Sequence, residues 1–487
     1  MQIHLSKRRS GNIMINALII AFFLVMSGTA FMMWAVDESY QAEYDLARTQ
    51  AYYVAQHGIL EEVITDMRKR SPETLPAGIE PKDNGRWYVD DSEVGAYSEV
   101  TLQRVSDLYI QGVFNSTFYY DLRATGTVMA SSADKITPVS RTVRMRTKLR
   151  TYASYMYLTD QEQTMFNEII WFWTPDTLYG RVHSNSHIGI KYSPRFYGPV
   201  STTEDEFLEF SAAPWFAYPP QFGAPPVYFP TTAENLRSGA QGGGTYIHNN
   251  NGMWKSRLVG EQGGWHLWQW DWGTPFDSTN IDNEDVIPYG SNLAIFVEGD
   301  VELWGDWISG SCTVGTSGTM ELWDNVKIAE VSEQNPDVSA AQSIVGLVSE
   351  GFIRIKDTYA NGRGNGLYAP GGYERKHIVI TAAMVALGES FTFEHQNDTW
   401  NEYRWCDPTG QHANETDERG TIWLRGSVTQ MRRGYVHRST CGGTGYAKDY
   451  VYDFRLDSTP PPFYLEAVDE GGSSLFDVVY WQEELPQ

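Results

Sequence analysis

The chain has 487 residues, and its 37 Lys and Arg against 61 Asp and Glu give a formal net charge of -24. A surface of that sign repels phosphate backbones, which argues against nucleic acid as a partner, and the length suits two or three domains. Aromatic residues make up 14%, with 44 Gly and 22 Pro; rings pack on pleated surfaces and Gly and Pro punctuate turns, so a strand-rich body is expected and a helical bundle is not.

The N-terminus carries the sharpest pattern. Lys7-Arg8-Arg9-Ser10-Gly11 precedes residues 12–36, which hold no charge. A run of about 25 such residues is long enough as a helix to cross a bilayer core. The basic flank before it and Asp37-Glu38 after it place the N-terminus in the cytoplasm and the remainder outside it. A secretory signal has a shorter apolar stretch and a small-residue cleavage site. Here the run continues into residues 37–70, where Leu46, Tyr53, Leu60 and Met67 recur every seven residues. That spacing predicts one long helix, apolar first and amphipathic second, with those four side chains on the face that docks on a globular head.

The basic stretch ending in Gly11, the uncharged run and then Arg48-Thr49-Gln50-Ala51-Tyr52-Tyr53-Val54-Ala55-Gln56-His57-Gly58-Ile59-Leu60-Glu61-Glu62 resemble the N-terminal region of PilX-type minor pilins over about the first 70 residues. The resemblance implies cleavage by a prepilin peptidase between Gly11 and Asn12, residence in the inner membrane, and later assembly with other pilin-like subunits into a cell-surface or extracellular filament. Asn16 departs from the pattern, since most type IV pilins carry Glu at the fifth mature position. An amide offers hydrogen bonds but no charge to a neighbour's amine. In this respect the chain is similar to the tip pseudopilin of type II secretion systems, which implies a tip or initiating position.

Past the helix, residues 85–160 read as antiparallel strands. In Arg141 to Arg150, Val143, Met145 and Leu149 face one side and Arg144, Arg146, Lys148 and Arg150 the other. That basic face is expected to be solvated or paired with the protein's own carboxylates. Beyond residue 160 a motif of strand, small residue, strand recurs, in Val182 to Ile190, Ile295 to Gly305, Val345 to Ile355 and Leu424 to Val428, with a longer variant from Ile378 to Phe393. Short strands with Gly at the corner suit stacked β-coils, because no coil buries its apolar edge alone; a β-sandwich with Gly-rich corners stays open. The predicted fold is α+β: a leader (1–11), a membrane-spanning helix (12–72), an antiparallel β head (73–160) and a β-solenoid-like body with loop insertions (161–487). Residues 214–230 and 238–264 read as surface loops. The acidic C-terminus after Pro460-Pro461-Pro462 is expected to form a tail strand or helix.

Catalytic signatures are missing: the sequence holds no nucleophile elbow, phosphate-binding Gly loop or HExxH helix, so no enzymatic activity, cofactor or metal is expected. His183 and His187 would share a strand face without a third ligand. Asp277, Asp282, Glu284 and Asp285 lack the EF-hand pattern and read as a solvated acidic loop. Alternation in Trp265 to Trp272 places Trp268, Trp270 and Trp272 on one strand face, suited to core packing or to a surface glycan. The cysteines allow one disulfide, with Cys406 and Cys441 in one polar stretch as the pair, or three free thiols. Two readings follow: a pilin-like structural subunit of a type IV pilus or a type II secretion pseudopilus, with its body displayed for adhesion or assembly, or a membrane-anchored carbohydrate-binding or carbohydrate-active protein.

Overall fold

The computed structural model describes residues 11–70, 75, 78–105, 119–132, 135–362, 377–394, 417–438 and 444–484. The fold is α+β. One compact unit comprises Met1–Val105, Tyr119–Thr147 and Val478–Gln487, the other Ser106–Phe118 and Lys148–Asp477. The leader residues 1–10 and both Cys406 and Cys441 lie outside the described residues.

The first unit begins with helix α1 (Gly11–Gly58). It holds no Pro and is rich in Ala, which loses no side-chain freedom in a helix. Helical backbone angles at Gly58, Ile64 and Thr65 carry it through the wide turns of Ile59–Ile64 into α2 (Thr65–Lys69). Strands β1 (Ile79–Pro81), β2 (Gly85–Val89), β3 (Ser92–Val105), β4 (Tyr119–Ser132) and β5 (Lys135–Leu149) form a sheet in the order β1-β3-β4-β5, with β2 on β3. The C-terminal strand Phe476–Glu484 completes the sheet beside β5.

The helix packs on β3 and β4, but through a different stripe from the one its heptad spacing suggests. Ala51, Val54, Ala55, Ile59, Val63 and Met67 are fully buried, whereas Leu46, Tyr53 and Leu60 are more than half exposed. Small residues decide the face. A Cβ on Gly126 of β4 would lie 2.1 Å from the Ala51 carbonyl oxygen, so helix and sheet touch backbone to backbone where Ala and Gly meet. Leu46, Tyr53 and Leu60 are left exposed.

The basic face of β5 meets the protein's own carboxylates. Arg144 and Arg146 both bond to Asp121, the latter at 2.5 Å from Nε. In the other unit Lys148 pairs with Asp457 at 2.6 Å and Arg150 with Asp477 at 2.5 Å.

The second unit is built mainly of parallel strands joined in one hydrogen-bonded network that closes on itself. Leu293–Val297 pairs in parallel with Ser311–Thr316, which pairs with Ile344–Ser349, which pairs with Ala383–Ala386. Between them Val301–Ile308, Met320–Ile328, Ile353–Ile355 and Phe391–Phe393 form a second parallel row. Each chain turn thus contributes one strand to each row, a coil-on-coil stack. Among the described residues of this unit, antiparallel pairing of the sandwich kind is confined to Trp254–Glu261, Gly264–Asp271 and Ile281–Pro288, to His437–Arg438 with Thr444–Tyr452, and to isolated bridges.

Spatial order departs from chain order. Tyr157–Gln161 does not extend the antiparallel head; a capped 3-10 turn at Tyr152–Ser154 intervenes, and the strand pairs in parallel with Asp417–Arg432. Val182–Ser184 and Val200–Thr202 stack next, so the first coils in sequence sit on the last ones. The glycine-rich segment 238–264 is structured as well: it contains the end of helix α3 (Glu234–Gly242) and strands Thr245–Ile247 and Trp254–Glu261. Gly244 serves close packing, since a Cβ there would meet the Ala294 carbonyl oxygen at 2.2 Å. The coil interior is apolar, with Leu258, Ile295, Leu303, Val314, Leu322, Leu347 and Ile380 fully buried.

Candidate functional site

Two features stand out chemically, one in each unit. In the first unit, Met14–Lys69 forms a single helix with a mean hydropathy of 2.1 in its most apolar window, long and apolar enough to cross a membrane, and that window is wholly exposed. Leu18, Phe22, Phe23, Leu24, Phe31 and Trp34 all point into solvent, an arrangement stable only against lipid or other apolar helices. Gly11 is its first helical residue and Asn12 follows it; Asn16 lies exposed on the same helix.

In the second unit, a cleft of about 680 Å³ opens on the outer side of the strand row that contains Trp254–Glu261, Val301–Ile308 and Met320–Ile328. Alternation along these strands sends Leu258, Leu303 and Leu322 inward, and register aligns Arg257 with Glu302, Glu302 with Glu321 and Glu321 with Arg354 on neighbouring coils. Arg257 donates to Glu302 Oε2 from Nε at 2.7 Å and from Nη2 at 2.5 Å. Lys356 Nζ lies 3.2 Å from Glu321 and 2.9 Å from Glu394. Burial raises the Glu302 carboxyl above the usual range, against the lowering pull of Arg257. The Arg257 guanidinium sits among rings, 3.8 Å from the centroid of Phe276, 5.1 Å from Trp304, 5.3 Å from Trp270 and 5.5 Å from Trp323, positions favourable for a cation over aromatic faces.

The tryptophan row divides here. Trp268 and Trp270 share a strand face and both pack near Phe276. Trp270 is buried beneath it, Trp268 stacks on His266 and donates to Glu284 at 3.0 Å, and Trp272 lies beyond the strand end, 60% exposed at the cleft. Trp265 points the other way, into the core. The loop after the strand is held by its own bonds: Trp270 Nε1 donates to the Thr274 carbonyl at 3.2 Å and Asn280 to the Pro275 carbonyl at 2.9 Å. Sequence reasoning found the tryptophans but missed Arg257, Glu302, Glu321 and Lys356, which lie far apart in the chain and meet only through coil register.

The remaining candidates have structural partners. His183 is buried, with Nδ1 2.8 Å from Ser201 Oγ and Nε2 3.1 Å from Asn185 Oδ1, while His187 lies outside the strand and pairs with Glu204 at 3.5 Å. Asp277 caps its own turn by accepting from the Thr279 backbone at 2.9 Å. Asp282, Glu284 and Asp285 belong to the strand Ile281–Pro288 and not to a loop. Among the described residues, no cluster of His, Cys, Asp and Glu has the composition of a metal site. Cys312 is a buried free thiol whose pKa burial pushes up to about 12.

Burial of His183 lowers its pKa from 6.5 to about 4. The unfolded chain therefore binds the extra proton between those values and the folded chain does not, so stability falls as pH drops from 6.5 toward 4. The shift corresponds to about 3 kcal/mol. We expect His183→Gln to flatten the pH dependence of unfolding in that window, measured by urea titration at pH 7 and pH 4.5; an unchanged slope would show that His183 is not the group responsible.

No known protein-family model matches the sequence, and no curated protein matches it in sequence. Among solved structures, the chain is similar to the competence-associated pilin ComZ from Thermus thermophilus, with 11% identity, 91% of this chain and 98% of that chain covered, and a TM-score of 0.30.

Proposed function

We propose that this chain is a non-enzymatic, pilin-like subunit of a type IV pilus or a type II secretion pseudopilus, held in the inner membrane by α1 before assembly and displaying its β-rich body outside the cytoplasm. The observation that carries this reading is one rod with two environments. Its first half exposes only apolar and small side chains, and its second half buries an Ala and Val stripe on the sheet of the first unit. Such a rod is satisfied in lipid and, after extraction, against the apolar halves of its neighbours, while the folded unit travels with it. The segment around Arg48 to Glu62, similar to PilX-type minor pilins, supports the same reading. An uncharged Asn16 suits a tip position, where no subunit above supplies an amine.

Co-expression with a prepilin peptidase, followed by N-terminal sequencing of the membrane fraction, tests the proposal. The expected product starts at Asn12 and stays in the membrane. A chain still starting at Met1, or one cut beyond Val36 and released, would overturn it.

A further inference from the structure

The cleft of the second unit is not needed for assembly through α1, and its chemistry selects a ligand. We propose that it binds an uncharged oligosaccharide.

Charge is the first argument. In a chain of net charge -24, this cleft is balanced: Lys255, Arg257 and Lys356 stand with Asp300, Glu302 and Glu321. A site for a polyanion would concentrate cations, and a site for a polycation would concentrate carboxylates. Interleaved fixed charges of both signs instead present many donors and acceptors with little net field, which suits hydroxyl groups. Arg257 spends both of its bonds on Glu302 Oε2, and among the described residues Oε1 takes no hydrogen bond and remains an acceptor.

The aromatic walls give the second argument. Trp272 is 60% exposed at the mouth, Phe276 roofs one side and Trp323 lines the cleft. Indole faces stack on the C–H faces of pyranose rings while the hydroxyls reach polar groups at the edge. The volume of about 680 Å³ falls within the range of ordinary small-ligand sites.

The loop bearing Trp272 and Phe276 is already tied by its own hydrogen bonds, so little ordering remains to be done on binding.

The test uses the full chain in a zwitterionic, sugar-free detergent. Cellohexaose, maltohexaose, laminarihexaose and chitohexaose are titrated by calorimetry and tryptophan fluorescence, with polygalacturonate and heparin as anionic comparators. At least one neutral hexasaccharide is expected to saturate with a Kd below about 1 mM. Trp272→Ala, at an exposed position, should weaken it about tenfold without moving the unfolding midpoint. The proposal is overturned if the folded chain saturates with none of the four, if Trp272→Ala leaves the affinity unchanged, or if an anionic polymer binds more tightly than every neutral one. These readouts are independent of leader cleavage and assembly, so failure here leaves the subunit reading intact, and the reverse holds as well.

Discussion

Replacing Glu162 by alanine is expected to destabilise the coil stack by about 3–5 kcal/mol, the usual cost of leaving one member of a buried ion pair alone. Glu162 and Arg433 bond at 2.6 Å with side chains only 2% and 3% exposed. Arg433 also donates to the Ile170 carbonyl at 3.0 Å and lies 3.7 Å over the ring of Phe172. Burial works against its charge, but Tyr157, Glu162 and Asp176 hold its pKa above the ordinary value. The guanidinium therefore stays charged when its carboxylate is removed, and with its side chain 3% exposed it stays largely shielded from bulk water. The location amplifies the loss. Glu162 follows the first strand of the stack, Tyr157–Gln161, and Arg433 follows the late strand Asp417–Arg432, and these two strands pair with each other. The bond thus closes a seam between an early and a late strand of the unit. Urea unfolding of the full protein, followed by near-ultraviolet circular dichroism, would measure the loss. A change below about 1 kcal/mol would refute this account of the seam. The double variant Glu162→Leu with Arg433→Met should lose less than Glu162→Ala alone, because an apolar pair strands no charge.

Gly126→Ala is expected to loosen α1 from its sheet at a cost near the upper end of the about 1–3 kcal/mol typical of overpacking. The new Cβ would stand 2.1 Å from the Ala51 oxygen and 2.4 Å from the Ala55 nitrogen, both backbone atoms of the helix. Side chains can rotate away from such a contact, but a helix backbone can only translate, and moving it also separates Val54 from Gly95 and Gly58 from Tyr97. Hydrogen exchange across residues 47–67 should accelerate in Gly126→Ala and stay as in the parent in Gly78→Ala, where no atom lies within 4 Å of the added carbon. Equal exchange in the two variants would mean that the close approach does not hold the helix.

Much of the architecture was legible because local physics sets it. A charge-free run flanked by basic and acidic residues declares a long apolar helix, and alternation in Arg141 to Arg150 declares a strand, since both depend on periodicity along a few adjacent residues. The recurring strand, small residue, strand pattern pointed to coils for the same reason. The helix face was misjudged because spacing reports which residues align, not which stripe can approach a sheet; the glycine at 126, far away in sequence, selected the Ala side. The loop reading of residues 238–264 erred in part, since Gly252 and Gly263 do sit in turns with positive φ whereas Gly244 permits contact between neighbouring backbones beside a strand.

What the sequence alone determined about this protein is its N-terminal rod, its strand-rich composition and its acidic surface, all sums of short-range preferences. Tertiary structure decided that the first coils stack on the last, that Glu162 meets Arg433, and that Arg257, Glu302, Glu321 and Lys356 gather beside Trp323. Such meetings depend on how coils register across separations of tens to hundreds of residues, and that register is chosen by the packing of the whole core and not by any local segment.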